Sequence, residues 1–177
     1  MADHKNTARA ALHPLNFPTL ALSVGGLGFL RPAPGTWGSL PPVVAAAFML
    51  WRGYGFDVIA AATAGLLVIA SAVCVSWGVY AESRFGRKDA AEVVADETAG
   101  VCLPVVAAVL VVDSENERLI ALVAALVLFR LFDIAKPWPM RRLEQLPHGW
   151  GVLLDDLMAG VYAAVIIMAT AGVWLAA

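Results

Sequence analysis

Two adjacent carboxylates, Asp155 and Asp156, lie near the start of the last apolar segment of the chain, residues 152–177. A charged side chain costs about 2.5–3.5 kcal/mol at the centre of a membrane helix and less near its end. Adjacent like charges also repel each other unless a positive charge lies beside them. The pair therefore predicts a bound cation or a basic partner at this point of the chain.

Further carboxylates occur at the ends of two other apolar segments. Asp96 and Glu97 precede residues 99–112, where the helix macrodipole alone would favour them by about 0.3–1 kcal/mol. Arg130, Asp133 and Lys136 recur every three residues and so share one face of a helix. The proline after Lys136 should end that helix. A simple ladder of ion pairs along the helix is the structural alternative to a functional role.

The stretch LRPAPGTWGSLPP is rich in glycine, proline and hydroxyl groups. Its prolines disfavour helix, which predicts a loop at its start. One interpretation is a turn before a helix capped by Ser39. The other is a loop whose backbone N–H groups and hydroxyls bind a phosphate at a helix N-terminus. The candidate phosphate-binding residues in it are Gly35, Thr36, Gly38 and Ser39.

The elements that carry these residues are predicted to be membrane helices. The chain has 177 residues, of which 60% are hydrophobic and 15% charged, and its mean hydropathy is +0.76. A soluble domain of this length could not bury so much apolar surface. Apolar segments at 57–82, 99–112, 119–135 and 152–177, with a shorter one at 40–51, predict an all-α, polytopic membrane helix bundle of about five spans. We expect one domain over residues 1–177, with 1–16 as a cytoplasmic arm.

The basic residues predict the orientation of the bundle. With five spans, the N-terminal arm and the connections at 82–92 and 136–151, which hold most of the Lys and Arg, fall on one side, predicted to be the cytoplasm. The polar stretches described above then converge at that side. Several carboxylate oxygens with a lysine and a glycine-rich segment predict a Mg²⁺ and phosphate site.

Several other kinds of site and partner are disfavoured by the sequence. The net charge of −2 argues against nucleic acid as a partner. Cys74 and Cys102 lie apart within apolar runs and are interpreted as buried thiols, so a transition-metal site is disfavoured. The N-terminus lacks the pattern of a signal peptide. Nothing in the sequence predicts an oligomeric state.

The motifs APGTWGSL, DETAG and FRLFDIAKPWPMRRLEQLPHGWGVLLDDLMAG resemble the signature blocks of the phosphatidylglycerophosphatase A family, in the same order, over residues 28–160. The resemblance implies a Mg²⁺-dependent lipid phosphatase of the bacterial inner membrane. Such an enzyme hydrolyses the terminal phosphate of phosphatidylglycerophosphate, an anionic phospholipid, in phosphatidylglycerol biosynthesis. It also implies a bundle of about six helices, one of them central, with residues 17–30 or 141–146 as the extra short helix.

On this hypothesis five carboxylates hold one or two Mg²⁺ ions: Asp96, Glu97, Asp133, Asp155 and Asp156. Catalysis is assigned to Asp133, Lys136, Asp155 and Asp156. Lys136 and the segment from Gly35 to Ser39 would bind the phosphate. Two secondary candidates remain, Arg130 to orient Asp133 and His148 to protonate the leaving oxygen, and the alternative for His148 is a solvent-exposed loop position. Attack by water and attack by an aspartate to form an aspartyl phosphate both stay open.

Three alternative functions differ from this one in the class of protein or in the substrate. A small cation-coupled transporter would place carboxylates near mid-membrane on several helices. A non-catalytic membrane subunit would use the polar cluster to dock a partner. A related phosphatase would act on another lipid phosphate or on a soluble phosphate.

Overall fold

The computed structural model describes residues 16–112 and 115–175, and the regular structure in these ranges is helical. In chain order the α-helices are α1 (Phe17–Leu22), α2 (Pro34–Trp51), α3 (Phe56–Phe85), α4 (Ala95–Val111), α5 (Glu115–Ala135), α6 (Met140–Leu143) and α7 (Gly149–Leu175), with a 3₁₀ turn at Leu27–Phe29. The predicted all-α fold in a single domain is confirmed. The predicted arm lies, apart from Asn16, outside the described residues.

Helix α4 is the centre of the bundle and contacts α2, α3, α5 and α7. It consists largely of alanine, valine and other small residues, and 12 of its 17 residues are buried. Small side chains let neighbouring helices approach closely, which favours a tight bundle in an apolar environment. The buried thiol predicted for Cys102 is confirmed on this helix, as is that of Cys74 on α3.

Helix α4 approaches α7 closely through two glycines. A Cβ atom on Gly100 would lie 2.6 Å from the carbonyl oxygen of Asp156, and one on Gly160 would strike the carbonyl oxygen of Gly100. Any larger residue at either position would force the two backbones apart. This contact fixes the height of α7 relative to the first turns of α4, where Asp96 lies.

In the part of the chain that the structure describes, two helices are long and apolar enough to cross a membrane by length and composition, α3 and the Gly149–Ala171 part of α7. Apolar side chains on α3, such as Val68, Ile69 and Val79, are exposed and would face lipid. The other long helices do not meet the same criterion. Helix α4 has 17 residues, α2 begins with a polar Gly- and Pro-rich turn, and α5 carries charges towards both ends. About five spans therefore stays a prediction.

Short helices occur in both places where the sequence suggested an extra one. Residues 17–30 contain α1 and the 3₁₀ turn, and residues 141–146 overlap α6. Helix α1 begins at an N-cap, where the Asn16 side chain accepts a hydrogen bond from the Thr19 N–H at 3.1 Å. These segments pack at the end of the bundle that carries the polar stretches.

Candidate active site: a carboxylate cluster at one end of the bundle

Asp155 and Asp156 lie in the second turn of α7 and point into the bundle, being only 3% and 4% exposed. The start of α7 is held against α3 by backbone contact between Gly149 and Gly78, where neither position has room for a Cβ atom. Two adjacent buried carboxylates need compensating charge. The arrangement of α7 therefore predicts positive groups or ligands on the neighbouring helices.

Asp96 and Glu97 form the first turn of α4, directly opposite this pair. Asp96 is 2% exposed, and its Oδ1 accepts a hydrogen bond from the Glu97 N–H at 3.1 Å. The next residue, Thr98, donates its hydroxyl to the Gly38 carbonyl oxygen at 2.6 Å. That hydrogen bond ties the start of α4 to α2 and sets the position of both carboxylates.

The carboxylates form two groups that share one residue. Asp96, Glu97 and Asp156 each offer an oxygen within 4.8 Å of the others, and so do Asp133, Asp155 and Asp156. Asp156 therefore lies between the two groups and bridges α4 to α5 through α7. All five residues predicted to bind metal therefore lie close together in the structure.

Two basic side chains contact the cluster. Arg130 Nη1 lies 2.8 Å from Asp133 Oδ2, so the predicted pairing on α5 is confirmed. Lys136 does not continue that ladder. It leaves the helix with a φ of 44°, and its Nζ lies 2.6 Å from Asp155 Oδ2 and 3.3 Å from Glu144 Oε1. The predicted end of the helix before Pro137 is confirmed, because α5 ends at Ala135.

The environment of Lys136 keeps its amine protonated. Partial burial alone would lower its pKa, but the hydrogen bond and charge of Asp155, together with Glu144, outweigh that effect and raise the pKa above its ordinary value. Among the described residues, Arg130 and Lys136 are the basic contacts of the five carboxylates, which leaves three carboxylates without a basic partner. A divalent cation is the natural complement to this excess.

Two buried oxygens point to the same conclusion. Asp155 Oδ1 and Glu97 Oε2 are shielded from solvent and have no hydrogen-bond partner among the described residues. Unpaired buried carboxylate oxygens are costly, and a metal ion is one of the few groups that can satisfy them. The oxygen-only donor set suits a hard cation such as Mg²⁺. The residues present therefore fit the metal that the resemblance implies.

The predicted loop is confirmed for residues 30–33 but wrong for the PGTWGS segment, because these residues form the first turns of α2. Pro34 occupies the first turn of this helix, where its fixed φ and missing N–H are compatible with a helix start. Gly35 faces the cluster: a Cβ atom there would lie 2.5 Å from Glu97 Oε1 and 2.8 Å from Arg130 Nη1. The partly exposed Thr36 follows it. A phosphate-binding role for Gly35 and Thr36 stays a prediction.

Gly38 and Ser39 have structural contacts instead. Gly38 lies against Val94, with no space for a side chain. Ser39 is fully buried, and its hydroxyl donates to the Gly35 carbonyl oxygen at 2.7 Å, so it is not the helix N-cap considered above. These contacts occupy both residues in the packing of α2, and a phosphate-binding role for either residue stays a prediction.

His148 lies outside both carboxylate groups. Its ring Nδ1 is 3.0 Å from Glu82 Oε2 on α3, and its side chain is 52% exposed. The alternative of a solvent-exposed loop histidine is therefore the one that the structure favours. Glu144, the second partner of Lys136, and Tyr162, whose hydroxyl donates to the Trp138 carbonyl oxygen at 2.8 Å, were not predicted. Both contacts depend on chain folding that no local pattern reveals.

Comparison with known proteins gives concordant matches over most of the chain. A family described as phosphatidylglycerophosphatase A matches residues 20–171. The phosphatidylglycerophosphatase A of Haemophilus influenzae is 34% identical over 158 residues, which are 86% of this chain and 88% of that protein. That of Escherichia coli is 31% identical over 173 residues, 93% of this chain and 89% of that protein.

A third relative carries a different name. A putative phosphatidylinositol-3-phosphatase of Bacteroides thetaiotaomicron is 35% identical over 159 residues, 87% of this chain and 93% of that protein. No solved structure matches the chain.

Proposed function

The chain belongs to the phosphatidylglycerophosphatase A family, and on that basis we propose that it is a Mg²⁺-dependent phosphatidylglycerophosphatase. It hydrolyses the terminal phosphomonoester of phosphatidylglycerophosphate to phosphatidylglycerol and inorganic phosphate, a step of phospholipid biosynthesis. The observation that carries the proposal is the pair of carboxylate groups sharing Asp156, next to a protonated lysine.

The two groups define where metal would bind. Asp96, Glu97 and Asp156 would hold one Mg²⁺, and Asp133, Asp155 and Asp156 a second. Bound Mg²⁺ supplies Lewis-acid stabilisation of phosphoryl oxygens and makes a nearby water more acidic. The oxygens of Glu97 and Asp155 that lack hydrogen-bond partners support this assignment.

The remaining polar residues would position the substrate and balance its charge. Lys136 stays protonated and can donate to a phosphoryl oxygen while still contacting Asp155. Arg130 holds Asp133 in place through their ion pair. Gly35 brings the backbone at the start of α2 into contact with Glu97 and Arg130, so a phosphate at the cluster would lie near the first N–H groups of that helix.

Two routes of attack fit these positions. In one, a water is the nucleophile and a cluster carboxylate accepts its proton. In the other, Asp155 or Asp156 attacks phosphorus, the glycerol oxygen leaves and takes a proton from water, and a second water hydrolyses the aspartyl phosphate. Acid quench with labelled substrate separates them, since labelled protein forms only on the second route.

The main test is phosphate release from phosphatidylglycerophosphate by the detergent-solubilised protein, in Mg²⁺ and in EDTA. We expect release to require Mg²⁺ and to fall at least about 100-fold in Asp156→Asn, because losing a ligand should exceed the 10–100-fold cost of losing an outer partner of a metal site. Asp57→Asn is the matched control, since Asp57 lies in the first turn of α3, outside both carboxylate groups. Release that persists in EDTA would refute the metal-dependent mechanism.

A second candidate is a phosphatase for another lipid phosphate, and the Bacteroides relative is the observation that favours it. Comparing phosphatidylglycerophosphate with phosphatidylinositol 3-phosphate under the same conditions distinguishes the two by kcat/KM. The transporter alternative loses its main support, because the carboxylates gather at one end of the bundle.

For location, we propose a multi-pass protein of the bacterial inner membrane with the site facing the cytoplasm. The basic residues at 84–88 and 136–142 lie at the same end as the carboxylates, which supports this orientation. The substrate and the basic end would then share one leaflet. Labelling of single cysteines placed at Arg84 and Arg52, in intact cells and in lysed cells, tests the orientation.

A further inference from the structure

A cavity of about 330 Å³ lies next to the carboxylate cluster, between the end of α5 and α6. Its lining includes Lys136, Trp138, Arg141 and Arg142. Lys136 forms one wall and also contacts Asp155, so the cavity and the cluster meet at this side chain. An anionic group bound in the cavity would thus lie beside the reaction site without entering the acidic cluster.

Three of the seven residues that line the cavity are basic, and the two arginines among them carry charges that a bound anion could use. Among the described residues, neither Arg141 nor Arg142 forms an ion pair with a carboxylate, and both side chains are exposed. The guanidinium carbon of Arg142 lies 5.9 Å from the centre of the Trp138 ring, a cation–π distance. Guanidinium groups are well suited to binding the paired oxygens of a phosphate.

The cavity is also held in shape by the fold. Tyr162 on α7 donates its hydroxyl to the Trp138 carbonyl oxygen at 2.8 Å, and the Tyr162 ring packs against Phe132. Met140, which begins α6, is fully buried in the main core. The segment that carries the two arginines is therefore anchored on both sides, and the basic groups keep a defined position relative to Asp155.

A lipid such as phosphatidylglycerophosphate carries two phosphates, and only the terminal monoester is hydrolysed. The other is the phosphodiester that joins glycerol to the lipid, separated from the monoester by one glycerol unit. If the monoester lies at the carboxylate cluster, the diester must lie a short distance away, in a place that accepts negative charge. The cavity next to Lys136 meets both conditions.

We propose that this cavity binds the phosphodiester of the lipid substrate, with Arg141 and Arg142 as specificity-determining residues. The proposal rests on the proposed function and deepens it. Binding of the phosphodiester in this cavity would make the site prefer lipids with a phosphodiester in the headgroup over simple phosphate monoesters. The exposed Trp138 ring would lie at the membrane surface beside the bound headgroup.

The test measures turnover and product binding in parallel. We expect KM for phosphatidylglycerophosphate to rise at least about tenfold in the double variant Arg141→Gln/Arg142→Gln, the effect of losing charge-assisted hydrogen bonds, with a much smaller change in kcat. Short-chain phosphatidylglycerol, which keeps the diester and lacks the monoester, should bind the wild type by calorimetry and bind the double variant at least about tenfold more weakly. Arg84→Gln is the control, because it removes a cation at the same end of the bundle outside the cavity.

The possible outcomes separate this inference from the proposed function. A double variant with unchanged KM and unchanged phosphatidylglycerol affinity would overturn the cavity assignment while the phosphatase activity stands. An equal effect of Arg84→Gln would also overturn it, since general surface charge would then be responsible. Arginine-dependent binding of phosphatidylglycerol without any turnover in the wild type would support the cavity and refute the proposed reaction.

Discussion

Substituting Gly35 by alanine should reduce activity strongly while leaving the fold nearly intact. The added Cβ atom would lie 2.5 Å from Glu97 Oε1, where ordinary contacts begin at 3.4 Å, so the Glu97 carboxylate must move by about 0.9 Å. It would also lie 2.8 Å from Arg130 Nη1. Both atoms are at the ends of flexible side chains, so the structure can yield at little cost in stability.

The same displacement of the Glu97 carboxylate should lower the reaction rate strongly. A misplacement of about 1 Å at a reacting centre can cost about 10²-fold in rate. We therefore expect kcat/KM for phosphate release in Gly35→Ala to fall by about two orders of magnitude at saturating Mg²⁺. The melting temperature should change by only a few degrees, because alanine favours a helix by up to about 1 kcal/mol over glycine and partly offsets the crowding.

Gly65→Ala is the matched control. Gly65 lies in α3, and a Cβ atom there would meet nothing within 4 Å. Activity should stay at the wild-type level in this variant. If Gly35→Ala also retains wild-type kcat/KM, then Glu97 and Arg130 do not need their observed positions and the assignment of the cluster fails. If it loses activity only in proportion to unfolded protein, the effect is one of stability and the reasoning is likewise refuted.

Three further outcomes follow from contacts in the bundle. Gly160→Ala should lower the free energy of unfolding by about 1–3 kcal/mol, since its Cβ would strike a backbone carbonyl that cannot rotate away. Thermal unfolding of this variant, compared with that of Gly65→Ala as the control, tests the prediction. In EDTA, Asp156→Asn should have a higher melting temperature than the wild type, because the substitution removes one of the crowded carboxylates. Mg²⁺ at 100 times its Kd should stabilise the wild type by about 2.7 kcal/mol. It should stabilise the variant less, because the variant has lost a ligand. His148→Gln should change kcat/KM little, because His148 lies outside both carboxylate groups. Loss of a general acid would instead lower kcat/KM by about 10²-fold or more. The pH–rate profile of the variant should therefore match that of the wild type.

The convergence of the carboxylates was predictable because it depends on topology more than on local detail. Once five apolar helices are placed antiparallel, the ends that carry Asp96, Asp133 and Asp155 fall on one side of the bundle. The end of α5 before Pro137 could also be predicted from the sequence, because proline restricts the residue that precedes it. These features follow from chain order and from the chemistry of single residues.

The start of α2 was not predictable in the same way. The local composition of PGTWGS favours a turn, but burial of Gly38 against Val94 and of Ser39 against the preceding turn selects a helix. The glycines serve the close approach of neighbouring groups, which only the assembled bundle shows. Tertiary packing here overrides the local preference of the sequence.

The partners of Lys136 likewise could not be predicted from the sequence. Its spacing from Asp133 predicts an ion pair on one helix face, whereas the chain turns at Lys136 and directs the amine to Asp155 and Glu144. The number of membrane spans is not set by apolar length either. Among the described residues, α3 and part of α7 meet the criterion of length and hydropathy, whereas α2, α4 and α5 fall short of it, so five spans stays a prediction.

The interlocked backbones of α4 and α7 have a consequence for how turnover proceeds. Because Gly100 and Gly160 meet each other's helix without intervening side chains, the two helices cannot slide past one another without breaking that contact. Asp96 and Asp156 thus form a rigid platform with a fixed separation. On the proposed function, the lipid headgroup would therefore adjust its position to these two carboxylates, because the helices that carry them are fixed against each other.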